Sequence, residues 1–197
     1  DNESAKGLNA WAVPPLEELL NTEQCKWILS QWTDELAAGC EKIIYFGGEP
    51  SATGNFGYLL DDLSPRPVAA TLAVFTSKMA RAKPLGVFML GRAGLFHLFE
   101  QDNKPILIAS TYEQNGEIVN LNVDTESVLI TDYQGNENTL STPGGLAELQ
   151  LNQMPYFIEW ADPDVLKAYV VPQVQTSSVS AGTSSNVATA RRTAPHL

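Results

Sequence analysis

Side chains able to do covalent, metal or proton chemistry are few and scattered in this chain. The two cysteines, Cys25 and Cys40, are too few for a disulfide framework or a metal cluster. A helix over that interval would hold them roughly 20 Å apart, beyond bridging distance, so both are expected to be unpaired. His97 and His196 share no ligand spacing, which leaves no zinc or haem motif and no expected cofactor. Gly47-Gly48 lacks the lysine and glycine spacing of a phosphate loop. Asn2-Glu3-Ser4 has the form of a glycosylation acceptor. Asp61 and Asp62 precede Ser64-Pro65, where negative charge favours a helix N-terminus. An acidic, metal-free set of this kind suits neutral ligands such as sugars.

The bulk properties narrow the classes further. The chain has 197 residues, 44% hydrophobic and 18% charged, enough for one or two domains with a substantial core. Its formal charge of −11 disfavours nucleic acid, because phosphate contacts need Lys and Arg, and it disfavours anionic membranes too. No apolar run approaches the roughly 18 residues of a membrane span, so no membrane insertion is expected. No signal-peptide pattern opens the chain, which is expected to begin either mature or truncated.

The elements that must position these residues fall into two styles. Residues 1–14 read as a loop, broken by Gly7, Asn9 and Pro14-Pro15. Pro15–Leu20 forms a turn or two of helix. Asn21 then caps a stronger helix, with Gln24 three residues on as in a capping box. Ile28, Leu29, Trp32, Leu36 and Ala37 keep helical spacing, and Gly39 ends it as a C′ residue. Lys42–Phe46 is a short apolar run that reads as a fully buried parallel strand. Residues 47–57 are a loop. Ser64-Pro65 opens a helix to about Ala82.

At Lys83-Pro84 the period changes from helical to alternating. Eight short apolar runs follow, from Leu85–Leu90 to Tyr156–Trp160, and they imply an antiparallel β-sandwich. Asn115-Gly116 is the sharpest hairpin signal. Asp162-Pro163 opens a short helix. The predicted organisation is therefore α/β followed by all-β: an α/β unit over 1–82, a sandwich over 83–170, and a Ser/Thr-rich tail or linker over 171–197, which cannot bury enough apolar area to offset its ordering entropy.

Three phrases carry a family likeness: Phe56-Gly57-Tyr58-Leu59-Leu60-Asp61-Asp62-Leu63-Ser64-Pro65-Arg66-Pro67, Val128-Leu129-Ile130-Thr131-Asp132-Tyr133-Gln134-Gly135-Asn136, and Met154-Pro155-Tyr156-Phe157-Ile158-Glu159. With the handover from α/β to sandwich, residues 1–160 resemble the C-terminal part of a retaining glycoside hydrolase of the large (β/α)8 clan. The resemblance implies that Asp1-Asn2-Glu3 ends barrel strand seven, that 15–39 is helix seven, 42–46 strand eight and 64–82 helix eight. The sandwich then packs beside the barrel.

The same resemblance implies a two-carboxylate mechanism, with one group as nucleophile and one as acid/base. Glu3 matches the nucleophile position. The acid/base, on strand four, lies outside this chain. Trp11 stacks on a sugar or packs on its own domain. Phe46 ends strand eight, and Glu49 and Asn55 lie in the loop after it, on the catalytic face, where they hydrogen-bond hydroxyls or serve as plain loop residues. The implied partners are carbohydrate and a polypeptide carrying the missing barrel strands, and the implied location is extracellular or at the cell surface. The isolated chain is expected to be inactive. The alternative is a structural or carbohydrate-binding protein that keeps this architecture without catalysis.

Overall fold

The computed structural model describes residues 4–45, 57–60 and 62–160; up to residue 20 it describes the backbone alone. Helix α1 runs unbroken over Ser4–Ala37. Over residues 4–14 this corrects the expected loop, of which residues 1–3 lie outside the described residues, and it corrects the expected cap at Asn21. Ala5, Leu8, Ala10 and Ala12 are good helix formers, and proline's fixed φ is itself helical. Pro14 and Pro15 cost the helix the amide donors they lack. Gln24, freed from capping, donates its Nε2 hydrogen to the Tyr45 hydroxyl, 3.2 Å away. The C-terminus is as expected. Gly39 takes φ 92°, its amide bonds the Leu36 carbonyl, and the Cys40 amide bonds that of Glu35, which together form a Schellman motif.

Helix α2 spans Pro67–Met79, with Arg66 as its extended N-cap and Pro67 in the first turn. It starts later than expected because Ser64-Pro65 is occupied in a turn. Asp62 Oδ1 accepts the Ser64 amide at 2.9 Å, and Leu59 pairs with Pro65. Asp62 therefore stabilises that turn and not the helix end.

All eight expected strands form, each within a residue or two of its predicted bounds: β1 Lys83–Leu90, β2 Gly94–Gln101, β3 Lys104–Thr111, β4 Glu117–Asn122, β5 Ser127–Thr131, β6 Glu137–Ser141, β7 Leu146–Leu151 and β8 Tyr156–Glu159. They build a six-stranded antiparallel sheet in the order β1-β2-β3-β8-β5-β6 and a two-stranded sheet β4-β7. The two sheets close one core, in which Phe96, Leu98, Leu107 and Ile158 meet Val119, Leu121, Leu149 and Leu151. On the other face of the large sheet, Phe99, Ile106, Ile108 and Phe157 meet Leu29 of α1 and Phe75 and Met79 of α2. Each of these buried side chains contributes about 1.5–3 kcal/mol. The result is three layers: helices, large sheet, small sheet.

The turns explain the connectivity. Asp102 and Asn103 both take positive φ, 51° and 62°, and join β2 to β3 as a tight hairpin of the kind that needs such residues. Asn115-Gly116 is not a hairpin. β3 pairs with β2 and β8, and β4 pairs with β7, so this turn carries the chain from one sheet to the other. Asn-Gly suits a crossover turn as well as a hairpin, so the residues alone could not separate the two; here only Gly116 of the pair takes positive φ. Gly116 has φ 71°, and a Cβ there would sit 2.5 Å from the Leu151 carbonyl oxygen. Gly116→Ala is expected to destabilise the chain by about 2–3 kcal/mol, combining left-handed strain with a backbone clash. A urea midpoint unchanged from the parent would refute this account of the crossover.

Candidate functional site

Four of the residues expected to act on substrate, Glu3, Phe46, Glu49 and Asn55, lie outside the described residues. Trp11 falls within α1, where the backbone alone is described. What the structure does define is the chain on either side of residues 46–56: Tyr45 before them and Gly57-Tyr58 after them. The Tyr45 and Tyr58 rings lie 6.2 Å apart, and Tyr45 meets the Trp32 ring edge-on at 6.0 Å. Trp32 in turn meets Phe75 of α2 at 5.6 Å. Gln24 Nε2 reaches both the Tyr45 hydroxyl and, at 3.5 Å, the Gly57 carbonyl. Tyr45, Gly57 and Tyr58, on either side of residues 46–56, are therefore held by one aromatic cluster between α1 and α2.

The segment before it corrects an expectation. Lys42–Tyr45 forms no strand among the described residues, although it was read as a fully buried parallel one. Ile43 and Tyr45 are half-buried, but Ile44 is 79% exposed. A parallel strand is buried only when neighbours flank it on both edges, and no described strand lies beside this segment.

Sequence reasoning missed a second feature. His97 of β2 was dismissed for lack of a second ligand, but it is 6% exposed and its Nε2 lies 2.9 Å from Asp34 Oδ1 of α1. No local pattern reveals this pair, because 63 positions of chain separate a helix residue from a strand residue that only the packed layers bring together. Burial pushes the His97 imidazole below its ordinary value of 6.5, and the Asp34 carboxylate only partly restores it. At neutral pH the imidazole is thus neutral and donates its Nε2 hydrogen to Asp34.

The sign of the linkage follows. Because the folded value is depressed, the unfolded chain takes up the proton first. This contribution to stability is complete above about pH 6.5 and is lost as pH falls through the folded value. Glu117 and Asp62 are both held below their ordinary values of 4.5 and 3.8. For Glu117 desolvation opposes this, and the Arg92 amide, the Thr111 hydroxyl and the Ala93 amide outweigh it; for Asp62 the Ser64 hydroxyl and amide are responsible. Their contributions are lost only in stronger acid. Urea midpoints are therefore expected to fall between pH 7 and pH 5, and His97→Gln is expected to flatten that part of the profile. An equal slope in the variant would show that His97 does not titrate there.

No protein-family model matches the chain, and no curated protein matches it. Among solved structures it is similar to a family 39 glycoside hydrolase from the gut symbiont Bacteroides cellulosilyticus WH2, with 25% identity and a TM-score of 0.48 over 59% of this chain. The chain spans 24% of that structure's length.

Proposed function

We propose that this chain is the C-terminal portion of a glycoside hydrolase acting on a glycoside or polysaccharide by the two-carboxylate retaining mechanism. Its partner is a polypeptide, the rest of the same product or another chain, that carries the remaining barrel strands and the acid/base. The observation that carries the reading is the Lys42–Tyr45 segment. It is apolar, it lies between two helices in the chain, and its Ile44 is 79% exposed. A helix, an apolar stretch and a second helix repeat the unit of a parallel α/β structure. The exposed Ile44 is what such a unit looks like without its neighbouring strands.

In the complete barrel, the Glu3 carboxylate attacks the anomeric carbon as the acid/base protonates the leaving-group oxygen. The glycosidic bond breaks, and a covalent glycosyl-enzyme forms. The acid/base, now a carboxylate, takes a proton from a water whose oxygen attacks the anomeric carbon; the bond to Glu3 breaks, the sugar leaves and both carboxyl groups return to their starting states. Catalytic groups converge at strand ends on one face of such a barrel. Glu49 and Asn55, which lie between Tyr45 and Tyr58 in the chain, serve there as hydrogen-bond partners for hydroxyls. Phe46 and Trp11 supply apolar and aromatic surface. A protein handling extracellular polysaccharide acts outside the cell or at its surface, which is the location this reading implies.

Two measurements test the reading. In the complete protein, Glu3→Gln is expected to lower turnover of an aryl glycoside by about 10⁴-fold or more with folding intact, and the isolated 197-residue chain is expected to show none. Ile44→Asp is expected to leave the isolated chain's stability within about 0.5 kcal/mol, as for an exposed site, and to cost the complete protein about 2–4 kcal/mol. Full turnover in the Glu3 variant, or robust hydrolysis by the isolated chain, would overturn the catalytic assignment. An Ile44→Asp effect that is the same in both contexts would remove the barrel.

A further inference from the structure

A second surface has its own chemistry. Helix α1 packs against β1 and β2, yet the apolar row of Val87 and Met89 of β1 stays exposed on the helix-facing side, and Leu85 is exposed at the adjoining bulge. Val87 pairs with His97 and Met89 with Leu95, so this row lies one strand away from the His97–Asp34 pair, at a strand spacing of about 4.8 Å. Beside the pair lies a cavity of about 70 Å³, lined by Thr33 and Asp34 of α1 together with His97, Ser110 and Tyr112. Thr33 is 2% exposed, and among the described residues its Oγ1 has no hydrogen-bond partner.

We propose that this surface docks a polypeptide segment from another protein, whose apolar side chains cover Leu85, Val87 and Met89 and whose arginine inserts its guanidinium into the cavity. Three observations choose that occupant. Size comes first: at about 30 Å³ per water, the cavity holds about two waters. That suits a guanidinium and is too small for a whole sugar ring. Charge comes second. The Asp34 carboxylate is 61% exposed at the mouth and hydroxyls line the walls, but no Lys or Arg among the described residues lines the cavity, in a chain of formal charge −11. A planar cation with several donors matches these acceptors. The apolar row comes third. An arginine stem lies along apolar surface while its head reaches a polar site, and three exposed aliphatic side chains need a segment, not a single residue, to cover them. The proposal does not depend on the barrel or on Glu3.

The test uses the full 197-residue chain, isotope-labelled for NMR, and the peptide acetyl-Leu-Val-Arg-Val-Leu-amide. Saturable shifts are expected at Val87, Met89, His97 and Asp34, with affinity at least about fivefold weaker for the same peptide carrying citrulline. Asp34→Asn keeps an oxygen acceptor for the His97 Nε2 hydrogen, so it is expected to hold the fold, seen as an unchanged urea midpoint, while weakening binding at least about fivefold. Met89→Ser, at an exposed position, is expected to do the same. Absence of saturable binding, or equal binding of the citrulline peptide, would overturn the proposal. So would shifts of these residues with methyl glucoside in place of the peptide. If Arg191→Gln with Arg192→Gln shifts the same resonances in the unliganded chain, the chain's own tail is the occupant and no external partner is required.

Discussion

Burial of β2 and β3 on both faces is the constraint from which the rest of the arrangement follows. Ile106, Leu107, Ile108 and Ala109 are consecutive and all buried. An antiparallel strand with one wet face alternates, whereas a continuous apolar run needs cover above and below. The two-stranded sheet β4-β7 supplies one cover and the helices supply the other. Removing either would expose a row of large side chains worth about 1.5–3 kcal/mol each. The helices are thus bound to the sheet by the same physics that forms the sheet.

Two charged ties complement that apolar contact. Lys78 of α2, mostly buried, bonds Glu159 of β8 and Glu137 of β6. Its pKa is raised: burial alone would lower it, and the two carboxylates outweigh burial. His97 meets Asp34 of α1 without being charged at neutral pH. The ties differ in kind. Lys78 is a charge satisfied by two opposite charges, which fixes the position of α2 over the far strands. His97 is a neutral donor held in place by burial, and protonating it weakens the net tie because burial penalises the charge more than Asp34 rewards it. Helix position over the sheet is therefore set by direction-specific contacts, while the amount of stabilisation comes from the apolar ones.

Much of this was legible in the sequence. Alternation and turn residues gave all eight strands to within a residue or two, because a side-chain period of two leaves a clear mark between Gly, Asp and Asn turns. Gly39 marked the end of α1 because a left-handed position at a helix end nearly demands glycine. The misreadings share a cause. Asn21 with Gln24 has the pattern of a cap, but Leu16–Leu20 before it is itself helical and carries the helix through. Asn115-Gly116 has the pattern of a hairpin, but which strands pair is decided by the burial of residues far away in the chain. The His97–Asp34 pair is invisible for that same reason. The residues expected to touch substrate rested on family phrases and not on local period, and apart from the backbone at Trp11 they lie outside the described residues.

The Lys42–Tyr45 stretch separates local from global satisfaction. Consecutive side chains in an extended chain point to opposite sides. Tyr45 is held inward by Trp32, Tyr58 and Gln24, and Ile43 is half-buried on the same side. That arrangement forces Ile44 outward, and its 79% exposure forfeits most of the roughly 1.5–3 kcal/mol that burying such a side chain returns. Rotating the stretch to bury Ile44 would expose Tyr45 and dissolve the aromatic cluster that joins α1 to α2. A second layer of structure against Ile44 would bury it without disturbing that cluster, because the two sides of the stretch are independent.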